Sequence, residues 1–387
     1  MSRLLFVVPP LTGHINPTVG LAAEAVRRGH AVAWAGHPGV LAPLLPAGAE
    51  VIPVLDDAFE AATREARTRW LELRGAAALQ YLWDEFLIPL GHAMVPDLQT
   101  AVRRYQPDVL ISDQQALAGP VVAAQTGLPW VTSATTPAEL ANPLAALPKV
   151  DAWVRDAMAS FAADHDVPGL GDLRFSDRLT LVFSIPEFGS DQAPPSCVFT
   201  GPVLDGRPAG GEFPWGWLDD SRDRVLVSLG TLNGPAGAAF YRTVLAAVSD
   251  LGDRLQVVLV APPGLVEEPV ADHVLIRPHV PQLALLPRLD AVVSHGGHNT
   301  VSEALAHGLP LVVAPIRDDQ PIIAEQVSRA GAGVRVRFGR LRPAELRAAL
   351  LAVLTEPTYR AAAGRLQAAS VAAGGAVAAV DHLEKLL

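Results

Sequence analysis

Ser294-His295-Gly296-Gly297-His298-Asn299-Thr300 is the stretch on which the reading of this chain turns. The residues before it, Ala291–Ser294, are few and apolar, as a buried strand requires. Those after it follow helical spacing, with Val301, Ala304 and Leu305 facing inward and Asn299 and Glu303, four apart, sharing another face. Two glycines between a strand and a helix let backbone N–H groups approach a ligand closely. Asn299 or Thr300 caps the helix, and the positive end of its dipole favours an anion. A glycine pair also makes a tight turn for packing reasons alone, so the neighbouring segments must decide between the two readings.

Two neighbours fall on the same rim. His279-Val280-Pro281-Gln282 follows the strand Val274–Ile276, and Pro315-Ile316-Arg317-Asp318-Asp319-Gln320 follows the strand Leu311–Ala314. Upstream, Val225–Leu229 and Gln256–Val260 read as strands and Ala238–Val248 as a helix; helices at Pro321–Ala330 and Pro343–Leu354 complete an α/β series. A second series precedes it. Leu4–Val8 is a strand apolar on both faces, Asn16-Pro17 opens a helix carrying Val19, Ala22, Ala23 and Val26 on its inner side, Gly29 stops it, and Ala31–Trp34 is the next strand. Val51–Val54, Asp108–Ile111, Pro129–Thr132, Leu179–Ser184 and Val198–Thr200 continue the strands, and residues 60–104 read as mostly helical, broken at Pro89 and Pro96. A Gly- and Pro-rich stretch, Asp205–Trp217, separates the halves, and the tail carries Val380, Leu383 and Leu387 at helical spacing. The expected domains are therefore residues 1–204, a linker over 205–222, a second domain over 223–370 and a terminal helix over 371–387. Each half reads as a doubly wound sheet. Such sheets bind ligands beyond the carboxyl ends of their strands, which makes the cleft between two facing domains the natural site.

At the end of the first strand lies Thr12-Gly13-His14-Ile15-Asn16-Pro17. His14, in a loop just before a helix, is placed to take a proton from a hydroxyl, or else to cap or pack the turn. A base needs a carboxylate on its other ring nitrogen. Asp113, at the end of the strand Asp108–Ser112, is the candidate, with the N-cap of a helix starting at Gln114 as the alternative. Trp83, Phe86, Leu87 and Met94 read first as core packing and otherwise as an apolar acceptor pocket.

Composition narrows the chemistry. The 387 residues are 50% hydrophobic and 18% charged, enough for two cores, and the net charge of −10 disfavours nucleic acid as a partner. A single cysteine, Cys197, excludes an intrachain disulfide and a cysteine-based zinc site. The pairs Asp56-Asp57, Asp219-Asp220 and Asp318-Asp319 have no histidine or third carboxylate at ligand spacing, so no metal is expected. Leu4–Val8 is too short for a signal-peptide core and no apolar run spans a bilayer, so a cytoplasmic protein without an integral membrane segment is expected.

Pro281-Gln282, His295-Gly296-Gly297-His298-Asn299-Thr300, Glu303, Gly308-Leu309-Pro310 and Asp319-Gln320 stand in the order of the donor-binding signature of the family 1 glycosyltransferases, also called UDP-glycosyltransferases. The chain resembles their bacterial macrolide and antibiotic-tailoring branch. The resemblance implies the GT-B fold, two facing Rossmann-like domains with the active site in the cleft between them and the tail helix returning to the first domain. It implies an inverting transfer of a sugar from a UDP- or dTDP-sugar to a hydroxyl of a small, apolar acceptor, with no cofactor beyond that co-substrate. By the same resemblance Val280 and Gln282 lie near the base, and His295, Gly296, Gly297, Asn299 and Thr300 hold the diphosphate, with Ser228, Gly230 and Thr231 facing it. Glu303 holds the ribose, Asp319 and Gln320 hold the sugar, and His14 with Asp113 forms the catalytic pair. Plant members carry Trp where His298 stands, so no role passes to that residue. The rivals are a non-hydrolysing sugar-nucleotide epimerase of the same architecture, a lipid-linked sugar transferase using Arg64, Arg67, Arg69, Trp70 and Arg74 at a membrane face, and a catalytically dead nucleotide-binding module. The last is disfavoured by the presence of both His14 and Asp113.

Overall fold

The computed structural model describes residues 1–59, 61–62, 69–70, 73, 75–188, 193–208, 210–230, 237–266 and 269–387. They form two compact units: Met1–Pro208 together with Ala373–Leu387, and Ala209–Ala372. Thr231 and the arginines at 64, 67 and 74 lie outside the described residues.

The first unit is built on seven parallel strands, β1 (Arg3–Val7), β2 (Ala31–Gly36), β3 (Glu50–Pro53), β4 (Val109–Asp113), β5 (Trp130–Ala134), β6 (Thr180–Val182) and β7 (Cys197–Phe199), in the order β3-β2-β1-β4-β5-β6-β7. The order reverses between β1 and β4, which is where a doubly wound sheet opens its crevice. Alternate residues of β1 serve two cores. Leu5 and Val7 pack with Ala33, Ala35 and Leu110 beneath the helices α2 (Ile88–Tyr105), α3 (Ala118–Thr126) and α4 (Pro148–Asp164). Leu4 and Phe6 pack with Trp34 and Ile111 beneath α1 (Thr12–Arg27) and the terminal helix, Gly375–Glu384, whose Ala379, Val380 and Leu383 join that core. Burial on both faces explains why the strand lacks a polar alternation.

Two expectations about helices are corrected. α1 begins at Thr12, not at Pro17: Leu11 is its N-cap, its carbonyl accepts from the amides of His14 and Ile15, and Pro17 lies inside the helix. Proline already holds a helical φ, so it omits one backbone bond without stopping a helix whose Ile15 and Val19 are anchored in the core. His14 consequently stands in the first turn of a helix. Nor do Pro89 and Pro96 break the next helical region. A π-helical turn, Leu82–Leu87, leads into α2, with Pro89 at its opening and Pro96 within it.

The second unit carries six parallel strands, β8 (Asp223–Ser228), β9 (Leu255–Val260), β10 (Val274–Arg277), β11 (Ala291–Ser294), β12 (Leu311–Val313) and β13 (Gly333–Arg335), ordered β10-β9-β8-β11-β12-β13. Its reversal falls between β8 and β11. The Trp215–Trp217 turn from the Gly- and Pro-rich stretch belongs to this unit. The Trp217 indole donates to the Asp272 carbonyl, and the buried Gln256 amide accepts from the Asp219 N–H while donating to the Trp217 carbonyl.

Candidate functional site

Each sheet places its candidate residues where its strand order reverses. In the second unit Ser294 of β11 pairs with Ser228 of β8, so the two strands end side by side. Both continue as Ser-x-Gly. The Ser228 hydroxyl accepts from the Gly230 N–H at 3.2 Å and the Ser294 hydroxyl from the Gly296 N–H at 3.1 Å. Gly230 and Gly296 have φ of 71° and 90°, which only glycine adopts cheaply, so each serine folds the chain back in the same way. The His295 ring fits between Gly230 and Gly297. A Cβ at Gly230 would stand 2.7 Å from its Cε1, and one at Gly297 2.5 Å from its Nε2. Burial pushes the His295 imidazole down to about 4, against a hydrogen bond to the Ser228 backbone that pulls upward and with the nearby Arg317 guanidinium pushing the same way as burial. The ring is therefore neutral near pH 7, and its one N–H is the donor in the bond to the Ser228 backbone.

α5 (His298–Ala306) opens directly on this pair of turns. Gly297 is its N-cap, not Asn299 or Thr300, and the first intrahelical bond runs from the Val301 N–H to the Gly297 carbonyl at 3.1 Å. Asn299 and Thr300 thus stand within the first turn, where backbone N–H groups point out of the helix and attract an anion. One turn on, the buried Glu303 accepts from the Gln282 side chain at 2.6 Å, which brings together two residues of the sequence signature 21 positions apart. Val280, beside Gln282, is buried. The Asp319-Gln320 segment closes the other side. Gln320 lies against Gly296, and its Oε1 accepts from the Ile316 and Arg317 amides at 2.9 and 3.1 Å. That oxygen shapes the loop, in which Asp318 takes a left-handed φ of 55°; Asp319, half-buried, caps α6 (Gln320–Arg329).

In the first unit β1 and β4 lie side by side. His14 comes from the first turn of α1, just after β1, and Asp113 ends β4. The His14 Nδ1 is 2.9 Å from Asp113 Oδ1. Asp113 is buried and His14 half-buried. Asp113 also holds its own turn, since its Oδ1 accepts from the Gln115 N–H at 2.8 Å; the helix after it, α3, begins only at Ala118. The sequence missed a third member. Thr135 follows β5, with its hydroxyl 2.7 Å from Asp113 Oδ2 and 2.7 Å from His14 Nδ1.

Of the four apolar acceptor candidates, Trp83, Leu87 and Met94 are buried in the core that includes α2, and Phe86 is half-buried against it. The fold also brings His37 to 3.4 Å from Asp57, a histidine that the spacing around Asp56-Asp57 did not reveal. Among the described residues no three His, Cys, Asp or Glu side chains gather as metal ligands, and no helix is long and apolar enough to cross a membrane.

Comparison with known proteins places this geometry. Residues 242–386 match the model of the erythromycin biosynthesis protein CIII-like C-terminal domain. The 4'-demethylrebeccamycin synthase of Lentzea aerocolonigenes is 31% identical, with 100% of both chains covered. The demethyllactenocin mycarosyltransferase of Streptomyces fradiae is 27% identical over 100% of this chain and 87% of that one. Among solved structures, the glycotransferase of kitacinnamycin superposes with a TM-score of 0.80 at 27% identity, covering 100% of this chain and 99% of its own. The glycosyltransferase VinC, solved in complex with dTDP, superposes with a TM-score of 0.76 at 25% identity, covering 99% and 98%.

Proposed function

Since this chain belongs to the family 1 glycosyltransferases, in their antibiotic-tailoring branch, we propose that it transfers a sugar from a UDP- or dTDP-sugar to a hydroxyl of a small, apolar natural product with inversion at the anomeric carbon. The observation that carries the reading is the His14–Asp113 pair at the point of strand reversal. Asp113 holds the proton of His14 on Nδ1, which puts the basic lone pair on Nε2. Nε2 takes the proton of the acceptor hydroxyl as its oxygen attacks the anomeric carbon. The bond from that carbon to the diphosphate breaks on the opposite side, and the nucleoside diphosphate leaves with the electron pair. A single displacement inverts the centre.

The second unit supplies the leaving-group half of the chemistry. The amides opening α5 offer N–H donors to the diphosphate, and the two Ser-x-Gly turns and the neutral His295 shape the loops around them. Glu303, which accepts from the Gln282 amide, is the acceptor for the ribose hydroxyls, Val280 and Gln282 lie beside the base, and Asp319 and Gln320 serve the sugar. That the acceptor is a natural product is supported by the relatives named for demethylrebeccamycin and demethyllactenocin. The base, UDP or dTDP, is supported for dTDP by the relative solved with it.

A thermal-shift panel of UDP, dTDP, GDP and ADP without added metal tests the donor half: UDP or dTDP alone is expected to raise the melting temperature. No shift with any of the four refutes the donor assignment. His14→Ala tests the other half. Transfer is expected to fall by about 100-fold or more, the scale of general-base catalysis, and normal turnover would remove His14 from the mechanism. Activity is expected to persist in excess chelator.

A further inference from the structure

We propose that Thr135 is a positioning residue of the base, holding Asp113 and His14 in one proton arrangement, and that Gln114 presents it. The inference deepens the reading of His14 as base and rests on it.

The proton count around His14 Nδ1 is the argument. Asp113 is an acceptor only, so the one hydroxyl proton of Thr135 lies on the 2.7 Å contact to Asp113 Oδ2. The Thr135 oxygen then has only lone pairs to offer Nδ1, also 2.7 Å away. Nδ1 therefore meets two acceptors, Asp113 Oδ1 at 2.9 Å and Thr135 Oγ1, and carries hydrogen in every state of the site. The carboxylate in turn accepts from His14, from the Gln115 N–H and from Thr135, which fixes the plane of a buried charge. When the ring becomes an imidazolium, its Nδ1–H already points at a carboxylate and a hydroxyl oxygen. No proton need move to Asp113.

The backbone shows how Thr135 is presented. Asp113 lies opposite Ser133 in the last pair of the β4–β5 register, so Thr135 is two residues beyond the end of the ladder and one beyond the end of β5. There the buried Gln114 amide takes over the pairing. Its Oε1 accepts from the Thr136 N–H at 3.0 Å and its Nε2 donates to the Thr136 carbonyl at 3.3 Å. A side chain thus continues the sheet by one rung, clasping the residue after Thr135 from the residue after Asp113. In the segment after β5, Glu139 interacts with both His14 and Asp113; burial pushes its carboxyl up, and its partner Arg174, itself tied to Asp172, pulls it down. These stay in place in the variants below.

The test compares Thr135→Val, nearly isosteric but without the hydroxyl, with Thr135→Ser, which keeps it, and with His14→Ala. Transfer is followed with dTDP-glucose and 4-methylumbelliferone as donor and acceptor probes. In T135V, kcat is expected to fall by about 10- to 100-fold while the acceptor KM and dTDP affinity stay within about twofold, and T135S to recover within about threefold. Ring 15N NMR of the free enzyme, with the His14 signals assigned by their loss in H14A, needs no acceptor. T135V is expected to move the His14 midpoint by about half a unit or more, and T135S to leave it in place. An unmoved midpoint in T135V, a kcat equal to wild type, or a T135S no better than T135V overturns the proposal. Normal transfer by H14A would instead overturn the reading of His14 as base, a different failure with a different signature.

Discussion

At the scale of the residue, His295 has the sharpest consequence. Its ordinary pKa of 6.5 applies to the unfolded chain, and burial lowers the folded one to about 4. Above pH 6.5 both states are neutral and the group contributes no slope. Between pH 6.5 and 4 the unfolded chain binds a proton that the folded chain refuses, so stability falls as the pH drops, by up to about 3 kcal/mol, and this group adds no further loss below 4. Urea unfolding across this range, wild type against His295→Gln, is expected to show the slope only in the wild type; parallel curves would refute the burial argument. The glycines around the ring make a second prediction. Gly297→Ala puts a methyl 2.5 Å from His295 Nε2, and dTDP affinity by calorimetry is expected to drop at least tenfold, whereas Gly211→Ala, with open space around it, leaves it unchanged. Sequence made His14, Asp113 and the His-Gly-Gly segment visible because each ends or follows an apolar strand. Thr135 was invisible for a physical reason: a threonine in a strand-forming sequence reads as a β-branched filler, and only the pairing of β4 with β5 sets it against Asp113. The repeated Ser-x-Gly at the ends of β8 and β11 was the signal within reach, since two such turns on adjacent strands mark one rim.

At the scale of the element, α1 does two jobs. Its first turn carries His14 and its last turn holds the terminal helix. Arg28, at its C-cap, reaches Glu24, Asp381, Glu384 and the Val377 carbonyl, and His30 adds a contact to Glu384. The Arg27 guanidinium, with Arg28 behind it, draws the Glu24 carboxyl down to about 2 against the opposing effect of burial. A carboxylate with a lowered folded pKa stabilises the fold above its unfolded value of 4.5, and that contribution is lost as pH falls from there toward 2. Arg28→Ala is expected to cost about 2 kcal/mol, because the variant loses several charge-assisted hydrogen bonds and leaves Glu24 half-partnered. Chemical unfolding measures this directly, and a change below about 0.5 kcal/mol would show the clasp to be ornamental surface pairing. Periodicity found α1 but misplaced its start, because Asn16-Pro17 is a good opening by local rules while the helix obeys the core contacts of Ile15. Tertiary packing outweighed the local signal there, as it did at Pro89 and Pro96.

At the scale of the whole molecule, the seven strands of the first sheet and five of the six of the second were legible from alternating strand and helix patterns with a Gly- and Pro-rich break, whereas β13, only three residues long, was not. Strand order was not, since periodicity carries no information about which strands become neighbours. Two units give a prediction about ligands. A nucleoside diphosphate that binds only Ala209–Ala372 stabilises that unit by about 2.7 kcal/mol at a hundredfold excess over Kd. Hydrogen exchange with dTDP is therefore expected to slow most at residues 294–303 and least in the strands β1 to β7. Equal protection throughout would mean that the units do not respond separately.

The first unit is discontinuous in sequence: it needs residues 373–387, which come after the whole of the second. On the ribosome, the face of its sheet that carries α1 stays only partly covered while 164 further residues, Ala209–Ala372, are made. Val19 and Ile15 then gain their last cover from Ala379, Val380 and Leu383. A stalled or prematurely released chain thus carries an unfinished apolar face next to a complete second unit. Chaperones and proteases that recognise such faces would therefore sort chains lacking residues 373–387 from chains that carry them.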